Sequence, residues 1–320
     1  MTEPRTDEHL VTANTPDLVL LGNLLVDDVV FADGRTRMAQ PGGAILYASL
    51  AAALWGARVG CVSLRGNDYP QPALDALRAR GIALDGVHAL GADGVRTWLL
   101  YEGSIRRVVH RLGCPSHAAV SPMPEHVPAA WRQARAYHLA PMPLATQRAL
   151  VEAIRGWERP GAPALLSLDP HLPLDESTFE EWRALLSLVD VFLPSDDEMH
   201  WAEAAKDPAA FGRLAGGRLR YVLWKQGASG GTMYDVQDRR VRGWRAEGPP
   251  AQDPTGAGDA FMAGFVTATL EGAEPGEALR RATVTAEFAI RAWGPEGLLD
   301  ASRDEATARL AASRSGTWSR

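Results

Sequence analysis

The chain has 320 residues, 46% of them hydrophobic and 22% charged, enough for one large domain or a domain with an appendage. A formal charge of -6 excludes the basic footprint that nucleic acid or an anionic membrane would require, and it is too small to mark a disordered acidic chain. Two distant cysteines, Cys61 and Cys114, build neither a disulfide framework nor a zinc knuckle, and they read as reduced thiols of a cytoplasmic protein.

Met1 to Pro16 is polar and acidic with no apolar core, so residues 1–16 are expected to be a flexible segment and not a signal peptide. Leu18 to Leu21 is a short apolar run closed by Gly22, the pattern of a buried strand. After Gly42 and Gly43, an Ala- and Leu-rich helix is expected over Ala44 to Trp55, stopped at Gly56 and too short to cross a bilayer. Val59 to Leu64 reads as the next strand, and Pro72 to Arg80 as a helix ended by Gly81.

The alternation continues. Strands are expected at Ala136–Leu139, Ala164–Leu168, Val189–Leu193 and Tyr221–Trp224. Helices are expected at Ala145–Trp157, Phe179–Leu188, Asp196–Ala205 and Ala257–Leu270. Apolar strands alternating with helices predict an α/β fold, a three-layer sandwich around a mostly parallel sheet, over residues 17–300. Two ribbons, 26–38 and 96–112, break the rhythm. The second carries aromatic and β-branched residues on either side of Glu102-Gly103-Ser104, a hairpin pattern. Such ribbons form either a small β lid over a site or an edge of the main sheet. Residues 301–320 are expected to be a C-terminal helix or tail.

The chemistry is concentrated in Asp253-Pro254-Thr255-Gly256-Ala257-Gly258-Asp259-Ala260-Phe261. Thr255 is a favoured N-cap type, and good helix formers follow from Ala257. The first N–H groups of a helix lack internal partners and carry partial positive charge. Gly256 and Gly258 remove side chains there, so Gly256, Ala257 and Gly258 can form an anion hole for phosphoryl oxygens. A carboxylate beside a bound phosphate opposes simple binding. Asp259 makes sense there as a base that takes a proton from an attacking hydroxyl. A dinucleotide fingerprint would want a small residue where Phe261 stands, and the Gly-Lys-Ser/Thr ending of a P-loop occurs nowhere. The bland alternative is a glycine-rich helix start with an acidic first turn.

This stretch resembles the C-terminal signature of the ribokinase-like, or phosphofructokinase B, family of carbohydrate and nucleoside kinases. The resemblance spans nearly the whole chain in the expected order. Gly22 to Asp27 resembles the first strand and its substrate-contacting aspartate, and Gly42-Gly43 the N-terminal double glycine. Gly66-Asn67-Asp68 with Leu77 to Ile82 resembles the stretch after the second strand, and Lys225 to Gly230 the loop near the nucleotide. The resemblance implies Asp259 as catalytic base, Asp27, Gly42 and Gly43 as substrate-binding, and Lys225, Gly227 and Gly230 as nucleotide-binding. It implies ATP as donor and Mg2+ as cofactor, and it allows a monovalent cation such as K+. Asp253 is assigned no chemistry. The family's Asn-x-x-Glu motif stands here as Ser195-Asp196-Asp197-Glu198, so Glu198 keeps a metal role through water while serine replaces asparagine. An acidic helix start is the competing reading of these three carboxylates.

The acceptor is less legible. Where many sugar kinases of the family carry asparagine after the double glycine, this chain has Tyr47. Tyr47 and Pro254 are similar to an inositol-kinase-like branch, which makes a cyclitol the leading expectation among small sugars and polyols. A nucleoside kinase and a catalytically idle binding member are the alternatives. Arg96, Arg106, Arg107 and His110 of the second ribbon either meet substrate or remain solvated edge charges. His138 and His171, at strand ends, read as structural histidines. The lid strands could also pair with a second chain, giving a homodimer.

Overall fold

Leu18 and Leu20 join one hydrophobic core while Val19 and Leu21 join another, so a single four-residue strand already defines two buried faces. The structure is a computed structural model that describes residues 15–102, 105–200, 216–246, 248 and 250–313. In chain order the strands are β1 (Leu18–Leu21), β2 (Leu25–Phe31), β3 (Thr36–Gly42), β4 (Val59–Arg65), β5 (Ala83–Ala89), β6 (Arg96–Glu102) and β7 (Ile105–His110). They continue as β8 (Ala136–Leu139), β9 (Leu165–Leu168), β10 (Val191–Phe192), β11 (Tyr221–Lys225), β12 (Gly231–Asp235) and β13 (Arg240–Trp244).

Nine strands make the main sheet in the order β13-β12-β11-β10-β9-β8-β1-β4-β5. Every pairing from β11 to β5 is parallel, and the β11-β12-β13 end is antiparallel. One face is covered by the helices Ala44–Leu54, Ala257–Leu270 and Pro275–Ile290, the other by Leu144–Trp157 and Phe179–Leu186. This is the expected three-layer α/β sandwich. Its sites belong beyond the carboxyl ends of the parallel strands, where β1, β8 and β9 run out at Gly22, Ala140 and Asp169.

The two ribbons form a separate four-stranded sheet, β3-β2-β6-β7, and not an edge of the main one. Val29, Leu99 and Tyr101 pack with Trp293 as its own small core, with the Phe31 ring edge-on to Trp293 at 5.3 Å between centroids.

Some expectations shift. The chain is already packed at Thr15, whose hydroxyl donates to the carbonyl of Ala130 at 3.2 Å. The helix expected over 196–205 does not start: residues 196–198 form a turn, and Met199 bridges to Leu174. The rest of that stretch, 201–205, lies outside the described residues. A helix over Arg303–Ala312 occupies part of the expected C-terminal segment, capped by the Ser302 hydroxyl on the N–H of Glu305.

Candidate active site

The signature loop is built from backbone demands. Asp253 accepts from the N–H of Thr255 and from the N–H of Gly294, both at 2.9 Å, so its two oxygens brace the loop against the segment near Trp293. The cap of the helix Ala257–Leu270 is Gly256 and not the expected Thr255. Gly256 holds φ +80°, and a Cβ there would lie 2.1 Å from the Tyr47 ring. Thr255 is freed from capping and instead exchanges a 2.8 Å hydrogen bond with the Tyr101 hydroxyl, tying β6 of the small sheet to the signature.

Of the three N–H groups expected in the anion hole, that of Ala257 turns back to the carbonyl of Pro254 at 3.3 Å. Those of Gly256 and Gly258 have no partner among the described residues, and outside its chain neighbours and its own helix backbone no protein atom lies within 3.4 Å of where a Gly258 Cβ would sit. The nearest atom to that position is Lys225 Nζ at 3.5 Å.

Lys225 ends β11 and reaches inward to Asp169, Nζ to Oδ1 at 2.8 Å. Burial lowers its pKa, and the carboxylates of Asp169, Glu198 and Asp259 outweigh that and raise it. The cation therefore stays charged beside Gly258. Asp169 itself is pushed up to about 7 by burial, against the pull of Lys225. Asp169 was not picked out by sequence reasoning. The signal was present, since an aspartate directly after a buried parallel strand stands where such folds place their chemistry.

Asp259 sits in the first turn of the helix, three residues after its Gly256 cap. Burial raises its pKa to about 6, opposed by the charges of Lys225 and Arg106. Asp27 is likewise raised to about 6 by burial, opposed by a hydrogen bond from the Thr97 hydroxyl and by Arg106. Gly42 is glycine because Asp27 fills its space: a Cβ would lie 1.8 Å from Asp27 Oδ2. Gly43, at φ +98°, caps the helix Ala44–Leu54, where a Cβ would meet the carbonyl of Asn23 at 2.1 Å. Asp28 takes the opposite side of the strand and is engaged by Arg96 at 2.7 Å and by the N–H of Ala39.

Residues directly opposite in an antiparallel pair share a face. Thr97 faces His110, and Tyr101 faces Arg106, so Arg106, Val108 and His110 line the same inner face as Thr97 and Tyr101. Arg106 is exposed like Arg107 but takes the inner face, and its charge acts on both Asp27 and Asp259. Val108 on that face is 49% exposed, an apolar surface left open toward the site.

Glu198 accepts from the N–H and the hydroxyl of Ser195, both at 2.8 Å, so serine closes the turn that positions the glutamate. Glu198 adds its charge to the fields of Asp169, Asp259 and Lys225. Beyond β11, Gly227 opens a short turn at φ +54° with nothing near its missing Cβ, whereas at Gly230 a Cβ would collide with the carbonyl of Trp244 at 2.1 Å. Gly227 leaves space, and Gly230 permits packing. His138 is buried, held neutral with its pKa near 3 by burial, and bonded to the Ser167 hydroxyl at 2.9 Å. Asn23 is buried, with its side-chain N–H on Ser121 Oγ and its side-chain oxygen without a partner among the described residues.

Comparison with known proteins follows this geometry. The family model described as pfkB family carbohydrate kinase matches residues 18–300. A cytidine kinase of Thermococcus kodakarensis is 29% identical over 286 residues, covering 87% of this chain and 97% of that protein. Among solved structures, a fructokinase with bound ATP from Xylella fastidiosa superposes with a TM-score of 0.73 at 18% identity, covering 93% of this chain and 99% of that one. A nucleoside kinase of Burkholderia thailandensis in complex with inosine gives 0.70 at 17% identity, covering 92% and 97%.

Proposed function

Because the chain belongs to the pfkB family of carbohydrate kinases, we propose that it transfers the γ-phosphoryl group of ATP to a hydroxymethyl group of a nucleoside. The observation that carries the chemistry is the Asp259 carboxylate, poised near pH 6, beside the unpartnered N–H groups of Gly256 and Gly258. The nucleoside reading is supported by the cytidine kinase, to which the chain is similar over 97% of that protein's length. The cyclitol reading leans on Tyr47, and the Tyr47 ring is 3% exposed and occupied against Gly256.

In this mechanism Asp27 accepts hydrogen bonds from acceptor hydroxyls and fixes which oxygen faces Asp259. Asp259 removes that hydroxyl's proton, the oxygen forms a bond to the γ-phosphorus, and the bond to the bridging oxygen breaks to release ADP. Gly256 and Gly258 hold the phosphoryl oxygens, and Lys225 balances the charge that gathers on them. Gly227 leaves room for the nucleotide. Among the described residues no group of three His, Cys, Asp or Glu side chains could hold a metal alone. Mg2+ would come in on the triphosphate and be met through water by Glu198, where it would shield the phosphates.

An acceptor panel of nucleosides, cyclitols and sugars with ATP and Mg2+, read by product mass, tests the reading. Nucleoside monophosphate is the expected product. Turnover of a cyclitol with no nucleoside product would overturn the acceptor assignment, and no ATP-dependent product from any acceptor would overturn the kinase mechanism. Met38, Val109 and Leu112 expose apolar side chains on or beside the small sheet, which supports a lid-to-lid homodimer. Sedimentation should find a dimer that Leu112→Ser weakens, and a monomer at all concentrations would remove it. No helix among the described residues is long and apolar enough to cross a membrane.

A further inference from the structure

Three histidines from three separate segments meet beside the acceptor side of the site. His110 ends β7, His117 begins the short helix His117–Val120, and His171 follows β9 by three residues. His117 Nδ1 lies 3.0 Å from His171 Nε2, with the rings edge-to-face at 4.3 Å, and His110 stands 6.3 Å from His117. Their position is fixed from two directions. His110 lies opposite Thr97, whose hydroxyl donates to Asp27. The carbonyl of His117 accepts from Ser121 Oγ, which in turn accepts from buried Asn23 at the end of β1. Contacts therefore run from this cluster toward Asp27 through His110 and Thr97, and toward the end of β1 through Ser121 and Asn23.

Burial and the neighbouring histidines push His117 down to about 4 and also lower His171, so both rings are neutral near pH 7. Two neutral imidazoles hold two N–H donors and two acceptors between them. Their mutual contact uses one of each. Whichever way that shared proton points, the outward nitrogens, His117 Nε2 and His171 Nδ1, are left as one donor and one acceptor. Neither takes another hydrogen-bond partner among the described residues. Half-buried ring nitrogens, linked through Ser121 to Asn23 with its own unpartnered oxygen, make a built surface that is short of partners.

We propose that the His117–His171 pair is the specificity element for the acceptor, and that it binds the edge of a nucleobase presenting one donor next to one acceptor. This rests on the nucleoside reading above and deepens it. Exchanging the tautomers of both rings, the shared proton crossing the contact while the outward proton is relayed back through solvent to the other ring, reverses which outward nitrogen donates. The pair can thus meet a cytosine edge in one tautomer and a uracil edge in the other, while Val108 offers apolar surface to the ring. Asp27 holds the sugar, and the histidines read the base.

The test compares cytidine with its analogue carrying carbon in place of ring N3, and uses D-ribose as a base-free acceptor or competitive inhibitor. His117→Ala and His171→Ala should each raise the cytidine KM about tenfold, one lost hydrogen bond's worth, with kcat within about threefold. The constant measured with ribose should not move. In wild-type enzyme the analogue should show an elevated KM relative to cytidine, and that penalty should vanish in the double variant. If the variants fold poorly, the wild-type comparison of cytidine with its analogue still decides, equal constants overturning the proposal. Nucleoside turnover with unchanged KM in folded variants overturns the histidine assignment alone. Wild-type enzyme that phosphorylates ribose but no nucleoside overturns this proposal together with the nucleoside reading.

Discussion

The signature loop and the small β sheet face each other across the site, and they are built in opposite ways. In the loop nearly every residue is forced. Asp253 has both oxygens on backbone N–H groups, and Gly256 is held against the Tyr47 ring at positive φ. In the sheet the β2–β6 and β6–β7 pairings are regular, but Val108, Val109 and Arg106 on its outer strand are exposed. The proposed phosphoryl half of the site is thus fixed by backbone geometry, whereas the proposed acceptor half is made of exposed side chains that can differ without disturbing the fold. Chemistry common to many acceptors belongs in the first, and selection among acceptors belongs in the second.

The largest expected effect is in the loop. Asp259→Asn should lower kcat by about 100- to 10,000-fold, the usual worth of a general base, with melting temperature and ATP affinity retained. A variant within tenfold of wild type would mean that the loop binds phosphate without supplying the base.

Next come the two loop glycines, which the structure separates. Gly256→Ala places a methyl group into Tyr47 at positive φ, so it should destabilise the fold by about 2–4 kcal/mol. Gly258→Ala meets only Lys225 Nζ at 3.5 Å, so it should keep its melting temperature and lose kcat by crowding the phosphoryl group. Thermal melts run beside turnover separate the cases. Equal melting temperatures for the two variants would break the claim that Tyr47 holds the loop.

Arg106 joins the two regions. As the proposed base, Asp259 would have to be deprotonated to act, so kcat/KM should rise with pH through about 6, with Asp27 contributing to the same limb. The positive charge of Arg106 lowers both groups, so Arg106→Gln should move the rising limb to higher pH. Activity should then fall several-fold at pH 6 and less at pH 8. An unmoved profile would return Arg106 to the solvated charges of the sheet's edge.

The smallest effect is expected at the tie between the regions. Tyr101→Phe removes the hydrogen bond to Thr255 and should raise the acceptor KM about threefold, with the ATP KM unchanged. A matching rise in the ATP KM would show that the tie supports the loop more than the sheet.

Much of the fold could be read along the chain because local patterns fix it. The run Leu18–Leu21 and the segment Ala257–Leu270 appear as expected, since apolar period and glycine punctuation are properties of neighbouring residues. Failures fall where distant contacts decide. The start of a helix at 196 was suggested by acidic residues, but Glu198 turns back onto Ser195 and closes a turn instead. Thr255 has the right chemistry for a cap, yet its hydroxyl is taken by Tyr101, 154 positions away in the chain. Tyr47 invited a reading about substrate because nothing near it in sequence reveals that its ring packs on Gly256.

The sequence by itself determined the α/β rhythm, the two ribbons outside it and the Asp253–Asp259 segment, since each is written in contiguous residues with a local physical meaning. Only the tertiary structure decided that the ribbons form their own sheet, that Arg106 acts on Asp27 and Asp259 while Arg96 pairs with Asp28, and that Asp169 pairs with Lys225. Only it brought His110, His117 and His171 together. Those pairings depend on which strands lie side by side and which face each residue takes, and strand order is set by burial of the whole chain at once.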